Sequence, residues 1–300
     1  MSQIKISAAI CTHNRSQDLA ECLAALAPQI RDGLEMMVID SASKPEEAAK
    51  IADIVALYPF IRFQRLERPG LAIARNAALS MAQGEWLALL DDDAVPAADW
   101  VAVALDLADR LGPEYSIVGG AVRPLLPAGA ERPLGRRWRQ LLSTIQLDGE
   151  FDQTDRPAVV GANMWFKVEA LKSVGAFPES LGRIGNSLLS GEEKLPTHKL
   201  VEQGRRIWYS DRLKVGHKIH GDRLTRKWAT RRAYWDGISD KRVERMLGKP
   251  DSAKQTASVA LKMLALGALY PAPGADQEFF LRFWYNLGWL RERFHRAEAS

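Results

Sequence analysis

Across the first 120 residues, short apolar runs alternate with helix-patterned stretches, and this limits the chain to few folds. Residues 4–12 (IKISAAICT), 35–40 (EMMVID), 61–67 (IRFQRLE), 85–90 (EWLALL) and 116–122 (SIVGGAV) read as strands. Between them lie helical patterns. Residues 16–26 place Leu19, Leu23 and Leu26 on one face, and KPEEAAKIADIVALY carries Pro45, Glu46 and Glu47 at its start, as a helix dipole prefers. LAIARNAALSMAQ is a third helix with Gly84 as its expected cap, and residues 98–110 are a fourth. Such alternation predicts an α/β fold with parallel strands and right-handed helical crossovers. In open sheets of this kind the ligand sits at the carboxyl ends of the strands. Those ends are residues 12–15 (Thr12, His13, Asn14, Arg15), 40–43 and 91–93, all polar, so three exits are expected to converge on one crevice.

Beyond residue 123 the pattern is less regular. Residues 124–156 are rich in Pro, Gly and Arg and read as a long excursion with one helix. VVGANMWFKVEAL resumes as strand then helix, GRIGNSLLSGEE is a loop into a helix over 195–203, and RIWYS and LKVGHKIH read as two short strands. From Arg223 the chain reads as helical to its end. A hydrophobic fraction of 47% with 26% charged residues excludes a disordered chain. The two cysteines, Cys11 and Cys22, lack metal-type spacing and predict no disulfide framework. The N-terminus does not read as a signal peptide, and no apolar run reaches the roughly 18–20 residues of a membrane span. The expected location is cytoplasmic, or peripheral on the inner face of a membrane. The net charge of +4 suits an anionic substrate or an acidic membrane, and the basic residues form no stripe that would suit nucleic acid.

Three adjacent carboxylates, Asp91, Asp92 and Asp93, follow the apolar run WLALL. Their mutual repulsion needs a reason at the end of a buried strand. No G-x-G-x-x-G follows the first strand, and G-x-x-x-x-G-K-[ST] is absent, so backbone amides of a glycine-rich loop are not the phosphate holder. Carboxylates offer another route: they hold Mg2+ or Mn2+, and the ion bridges to phosphate oxygens. A solvated acidic turn is the competing reading.

The ordered set LLDDDAVP, AAICTHNR, MVIDSASK, RPGLAIARNAAL, VVGANMWFKVEALKSVGAF and LLSGEE resembles family 2 glycosyltransferases of the GT-A fold over roughly residues 4–240. The resemblance implies a Rossmann-like, mainly parallel central sheet flanked by helices. It implies a catalytic domain over 1–240, with a nucleotide-sugar half to about residue 122 and an acceptor half after it, and a helical extension over 241–300. It implies inverting transfer from a nucleoside-diphosphate sugar to a hydroxyl of a saccharide or lipid-linked glycan, with Mn2+ or Mg2+ as cofactor.

Site roles follow from the same resemblance. Asp93, Asp91 and His217 are the implied metal ligands, His217 standing in a V-x-H-like strand. Thr12, His13, Asn14, Arg15, Asp40, Arg75, Asn76, Asp91, Asp92 and Asn163 are the implied nucleotide-sugar contacts. The family's Glu-Asp base segment is Glu-Glu here, so Glu193 falls at the base position and Glu192 is the alternative. A structural role competes for His217, a solvated helix face for Arg75, and a buried core position for Trp165, which otherwise stacks on sugar. Arg223 reads either as a phosphate neighbour or as a charged surface turn. The aromatic and basic C-terminal helices pack on the catalytic domain, on a second subunit, or on a membrane surface. Two other functions compete: a sugar-phosphate nucleotidyltransferase, which lacks its glycine-rich basic opening here, and a catalytically silent GT-A-like sugar-nucleotide-binding module or scaffold.

Overall fold

A computed structural model describes residues 3–130, 135–157, 159–183, 187–269 and 277–295. In chain order the elements are β1 (Ile6–Thr12), α1 (Ser16–Leu26), β2 (Leu34–Asp40), α2 (Pro45–Ala56), β3 (Ile61–Arg65), α3 (Leu71–Met81), β4 (Trp86–Asp91), β5 (Ala94–Pro96), α4 (Trp100–Arg110) and β6 (Tyr115–Leu125). They continue with α5 (Arg136–Leu141), β7 (Glu150–Asp152), β8 (Asn163–Lys167), α6 (Val168–Ser173), α7 (Lys194–Glu202), β9 (Arg206–Lys218), α8 (Arg226–Met246), α9 (Ala253–Leu269) and α10 (Gln277–Phe294).

The strands form one sheet in the order β3-β2-β1-β4-β8-β6-β9-β5, with β7 on β9. The first four strands are parallel, which brings the exits of β1, β2 and β4 to one edge of the sheet. The apolar runs of β1, β2 and β4 are continuous because both faces are covered, whereas β3 at the sheet edge is largely exposed. Ile6, Ala8 and Ile10 of β1 pack with Leu19, Leu23 and Trp100, while Ala9 packs on the opposite face with Ala72, Leu79 and Phe166. Trp165 is fully buried and meets Trp86 and Trp100 edge to face, at centroid distances of 6.3 and 5.8 Å. Each such pair adds about 0.5–1.5 kcal/mol beyond area burial, and the sugar-stacking alternative for Trp165 falls away.

Strand β8 enters antiparallel between β4 and β6. The two short strands expected near residues 206–220 are one 13-residue strand, β9, parallel to β6 with a register shift at Gly120/Ala121. A Cβ at Gly120 would lie 2.1 Å from Asn163 Nδ2 and 2.5 Å from the Leu213 carbonyl oxygen, so only glycine fits this bulge. Past the bulge β9 pairs with β5, and His217 stands opposite Ala94, directly after the aspartates.

Gly84 does not cap α3. The helix ends at Met81 with the Ala82 N–H on the Ala78 carbonyl. Gly84 instead lets two backbones approach: its Cβ would lie 2.8 Å from the Ile6 carbonyl carbon, and its N–H donates to Ser7 Oγ at 2.8 Å.

Helix α8 runs unbroken through residue 240, and α10 returns along it. They cross where Gly237 meets the Tyr285 carbonyl and Gly288 meets the Tyr234 carbonyl, with a built Cβ at 2.0 and 1.9 Å respectively. Both contacts are with backbone, which cannot swing aside. Gly288→Val is therefore expected to cost at least about 1–3 kcal/mol, read as a lowered Tm. An unchanged Tm would mean the helices do not cross this closely.

Candidate active site

The three carboxylates are tolerated because cations reach them from separate elements. Asp91 ends β4 and is partly exposed, whereas Asp92 and Asp93 are buried. Thr12, the last residue of β1, donates through Oγ1 to Asp92 Oδ2 at 2.9 Å. Arg15, preceding α1, spans Asp92 Oδ1 and Asp93 Oδ2, both at 3.0 Å. Arg223, in the 3-10 turn Gly221–Leu224, donates to Asp93 Oδ2 at 3.3 Å, and Arg75 of α3 reaches Asp91 Oδ1 at 3.3 Å. Burial pushes Asp93 up, but His217 in its protonated form, with Arg223 and Arg15, holds it well below the carboxylate range. Burial dominates at Asp92 and raises it to about 7 against the pull of Arg15.

His217 has a defined orientation. Its Nδ1 lies 3.1 Å from the Leu142 carbonyl, which can only accept, so Nδ1 carries a proton. In the neutral ring Nε2 then presents a lone pair, 3.1 Å from Asp93 Oδ1. That oxygen is buried, and the approach of Nε2 is not aligned as a hydrogen bond. In that neutral form two electron-rich atoms face each other with Arg223 Nη1 3.5 Å from Nε2, whereas a protonated ring pairs with Asp93; Asp91 offers a third ligand atom within 4.8 Å of both. Two carboxylate oxygens and one imidazole nitrogen are a donor set that fits a divalent cation, with the imidazole favouring Mn2+ over Mg2+.

Arg75 links this cluster to the acidic pair ahead of α7. It is 2% exposed, not on a solvated helix face, and its Nη1 donates to Glu192 Oε1 at 2.7 Å. Glu192 is buried, and its Oε2 has no hydrogen bond among the described residues. Burial and the Glu193 charge push the Glu192 carboxyl up to about 7, against Arg75. Glu193 is partly exposed at the N-cap of α7. The raised Glu192 pKa has a consequence for stability. The folded state keeps the proton between the ordinary value of 4.5 and about 7, where the unfolded chain has lost it. Glu192 therefore contributes stability fully below pH 4.5 and loses it as pH rises through about 7, a difference of at most about 3 kcal/mol. Urea unfolding of metal-free protein from pH 5 to 8 should show stability falling, with a shallower slope in Glu192→Gln. Equal slopes would contradict the assignment.

Other expected contacts are placed differently. Asp40 is fully buried; its Oδ1 accepts from the Ser43 N–H at 3.0 Å, closing the turn after β2, and its Oδ2, with Arg65 Nε at 3.4 Å, has no hydrogen bond among the described residues. His13 Nδ1 is 2.7 Å from the Ser41 carbonyl, and Asn14, at φ +55°, accepts from the Lys44 N–H at 2.7 Å, so both tie the β1 exit to the β2 exit. Asn76 is not free for a ligand: its amide makes a two-bond clamp on the Phe177 backbone, at 2.8 and 3.0 Å. Asn163 does not face a donor sugar. It is fully buried, accepting from Trp100 Nε1 at 3.2 Å and donating to the Leu213 and Ala121 carbonyls at 2.8 and 3.3 Å.

Sequence reasoning missed two cations. Arg232 of α8 is buried against Leu188 and Ser190. Arg183 is partly buried and has no carboxylate within ion-pair distance among the described residues. Burial, then Arg223 and Arg232, push its pKa down to about 10. Neither position carries a local sequence signal. Arg232 also pairs with Asp236 at 3.8 Å, whereas Arg183 adds a cation beside Arg223 that no carboxylate pairs among the described residues.

A parallel α/β half whose exits meet a carboxylate–histidine cluster, extended by an antiparallel-inserted second half, is the GT-A architecture. The mannosyltransferase PcManGT from Pyrobaculum calidifontis, solved with GDP-Man and Mn2+, shares the fold with a TM-score of 0.64 at 20% identity, over 98% of this chain and 88% of that one. The family model for glycosyl transferase family 2 matches residues 7–175, and the chain belongs to that family of glycosyltransferases. Among curated relatives it is 24% identical to the glucosyl-dolichyl phosphate glucuronosyltransferase of Haloferax volcanii, over 81% of this chain and 78% of the relative. It is 26% identical to the succinoglycan biosynthesis protein ExoM of Rhizobium meliloti, over 86% and 80%. Among the described residues no helix is long and apolar enough to cross a membrane.

Proposed function

We propose that this glycosyltransferase is metal-dependent and inverting, and moves a sugar from a nucleoside-diphosphate sugar to a hydroxyl of a saccharide or lipid-linked glycan in polysaccharide or glycan assembly. The observation that carries the reading is the convergence of Asp91, Asp93 and the His217 Nε2 lone pair around a buried oxygen without an aligned donor. A divalent ion held there supplies positive charge to the departing diphosphate. Arg15, Arg183 and Arg223 add charge on the same side. Glu193 takes the proton of the acceptor hydroxyl as its oxygen bonds to the anomeric carbon and the bond to the diphosphate breaks. Glu192 orients Arg75, which in turn positions Asp91. The bound GDP-Man and Mn2+ named for the Pyrobaculum enzyme, and the dolichyl phosphate and succinoglycan named for the curated relatives, support this class of donor, metal and acceptor.

The test is release of nucleoside diphosphate from a panel of UDP-, GDP- and dTDP-sugars with Mn2+, with Mg2+, and with EDTA. Release from one donor that EDTA abolishes is expected. Release undiminished by EDTA would contradict the metal assignment.

A further inference from the structure

The acidic pair ahead of α7 is anchored to α8 on both sides. Before it, the Ser190 N–H donates to Ser239 Oγ at 3.0 Å. Gly191, at φ +94°, then turns the chain where a Cβ would lie 3.1 Å from Val243 Cγ2. After it, Lys194 reaches Asp240 Oδ1 at 2.6 Å and Asp236 Oδ1 at 3.5 Å through Nζ. Glu192 and Glu193 are therefore bracketed by two anchors on one helix.

Asp240 also reaches beyond α7 and α8. Its second oxygen, Oδ2, accepts from the Tyr285 hydroxyl of α10 at 2.7 Å, so one carboxylate joins α7 to α10. Burial and the Asp240 charge push the Tyr285 phenol up, and it keeps its proton and donates. The ring is fixed in turn by Arg137 of α5. The Arg137 guanidinium carbon lies 4.6 Å from the ring centre, and its Nη2 donates to Asp236 Oδ2 at 2.8 Å. Four helices thus meet one residue away from Glu193. The Lys194 and Asp240 side chains are 35% and 28% exposed. An ion pair this open to water adds little stability, but it decides where the side chain next to it can point.

We propose that Tyr285 and Asp240 are positioning residues for the base. The chain from Tyr285 through Asp240 to Lys194 sets the start of α7 so that Glu193 meets the acceptor hydroxyl. The C-terminal helix α10 then belongs to the catalytic apparatus, although it lies far from the crevice in sequence. This rests on the glycosyl-transfer reading for what Glu193 does.

The test uses the full chain. Tyr285→Phe removes one hydroxyl and keeps the ring beneath Arg137. Arg245→Met is the control, because it cuts a different link between α8 and α10, the Arg245–Glu292 pair at 3.0 Å. Activity is nucleoside diphosphate release from the UDP-, GDP- and dTDP-sugar panel with Mn2+. Tyr285→Phe should lower kcat about five- to tenfold with the donor KM within about twofold of wild type. Lys194→Met should lose about tenfold or more in kcat, and Lys194→Arg should recover most of it. Arg245→Met should keep the wild-type kcat. Hydrogen–deuterium exchange of the metal-free protein is a second readout that needs no substrate. Tyr285→Phe should speed exchange over residues 190–197 by about fivefold or more and leave the strands of the parallel half unchanged. Wild-type kcat in Tyr285→Phe, an equal loss in Arg245→Met, equal losses in Lys194→Met and Lys194→Arg, or wild-type exchange over 190–197 would each overturn the inference. If the wild-type protein turns over no sugar nucleotide, the glycosyl-transfer reading fails by itself. Exchange then decides the link between α10 and α7: faster exchange in Tyr285→Phe upholds it, and wild-type exchange overturns it.

Discussion

Asp93→Asn should fold but lose Mn2+ binding, and its kcat/KM should fall by about a thousandfold or more, some 4 kcal/mol of transition-state stabilisation. The asparagine keeps the shape of the side chain and removes its charge. In the native protein that charge faces His217 and is contacted by Arg15 and Arg223. Arg15 retains Asp92 in the variant, which limits the structural damage. Asp93→Ala is the harsher test, since it leaves buried Arg223 without the partner it now has at 3.3 Å; a loss of stability of roughly 3–5 kcal/mol is expected. Metal titration, circular dichroism and steady-state rates separate the two effects. A folded Asp93→Asn enzyme with undiminished metal affinity would remove Asp93 from the ligand set.

Glu193→Gln should lower kcat by about 10²–10⁴ while leaving donor binding intact, the range expected when a general base is removed. Glu193 is the partly exposed member of the pair, able to meet an acceptor. Glu192 is buried, and one of its oxygens is held by Arg75 at 2.7 Å. Glu192→Gln should weaken that link and so affect metal and donor affinity as well as rate. The two variants therefore differ in pattern as well as size. If Glu192→Gln abolished turnover with donor binding unchanged, and Glu193→Gln were mild, the base would be Glu192.

The parallel half of the fold was legible because each strand is a local apolar run and each helix a local period, so the meeting of three polar exits followed from topology. The sequence also pointed to Asp91, Asp93 and His217, and the fold brings them together. What pairing adds was not legible. The antiparallel entry of β8, and the joining of two apparent strands into β9, depend on partners far away in the chain. Asn76 and Asn163 illustrate the same limit: both lie beside motif residues, yet long-range backbone carbonyls take up their amides. Arg183 and Arg232 gather charge at the crevice only because a loop and α8 fold over it. Gly84 was misread as a cap because a close backbone approach and a cap leave the same letter.

The central claim is that the aspartates hold a divalent ion that completes a nucleotide-sugar site. The most direct measurement is the melting temperature of the full chain against a panel of nucleoside diphosphates and nucleotide sugars, each with Mn2+ and with EDTA. A ligand at about 100 times its Kd stabilises the native state by about 2.7 kcal/mol, a shift of several degrees. The account predicts a rise for one base, present with Mn2+, absent with EDTA, and absent in Asp93→Asn. An equal rise with EDTA, or no rise for any nucleotide with folded protein, would contradict it.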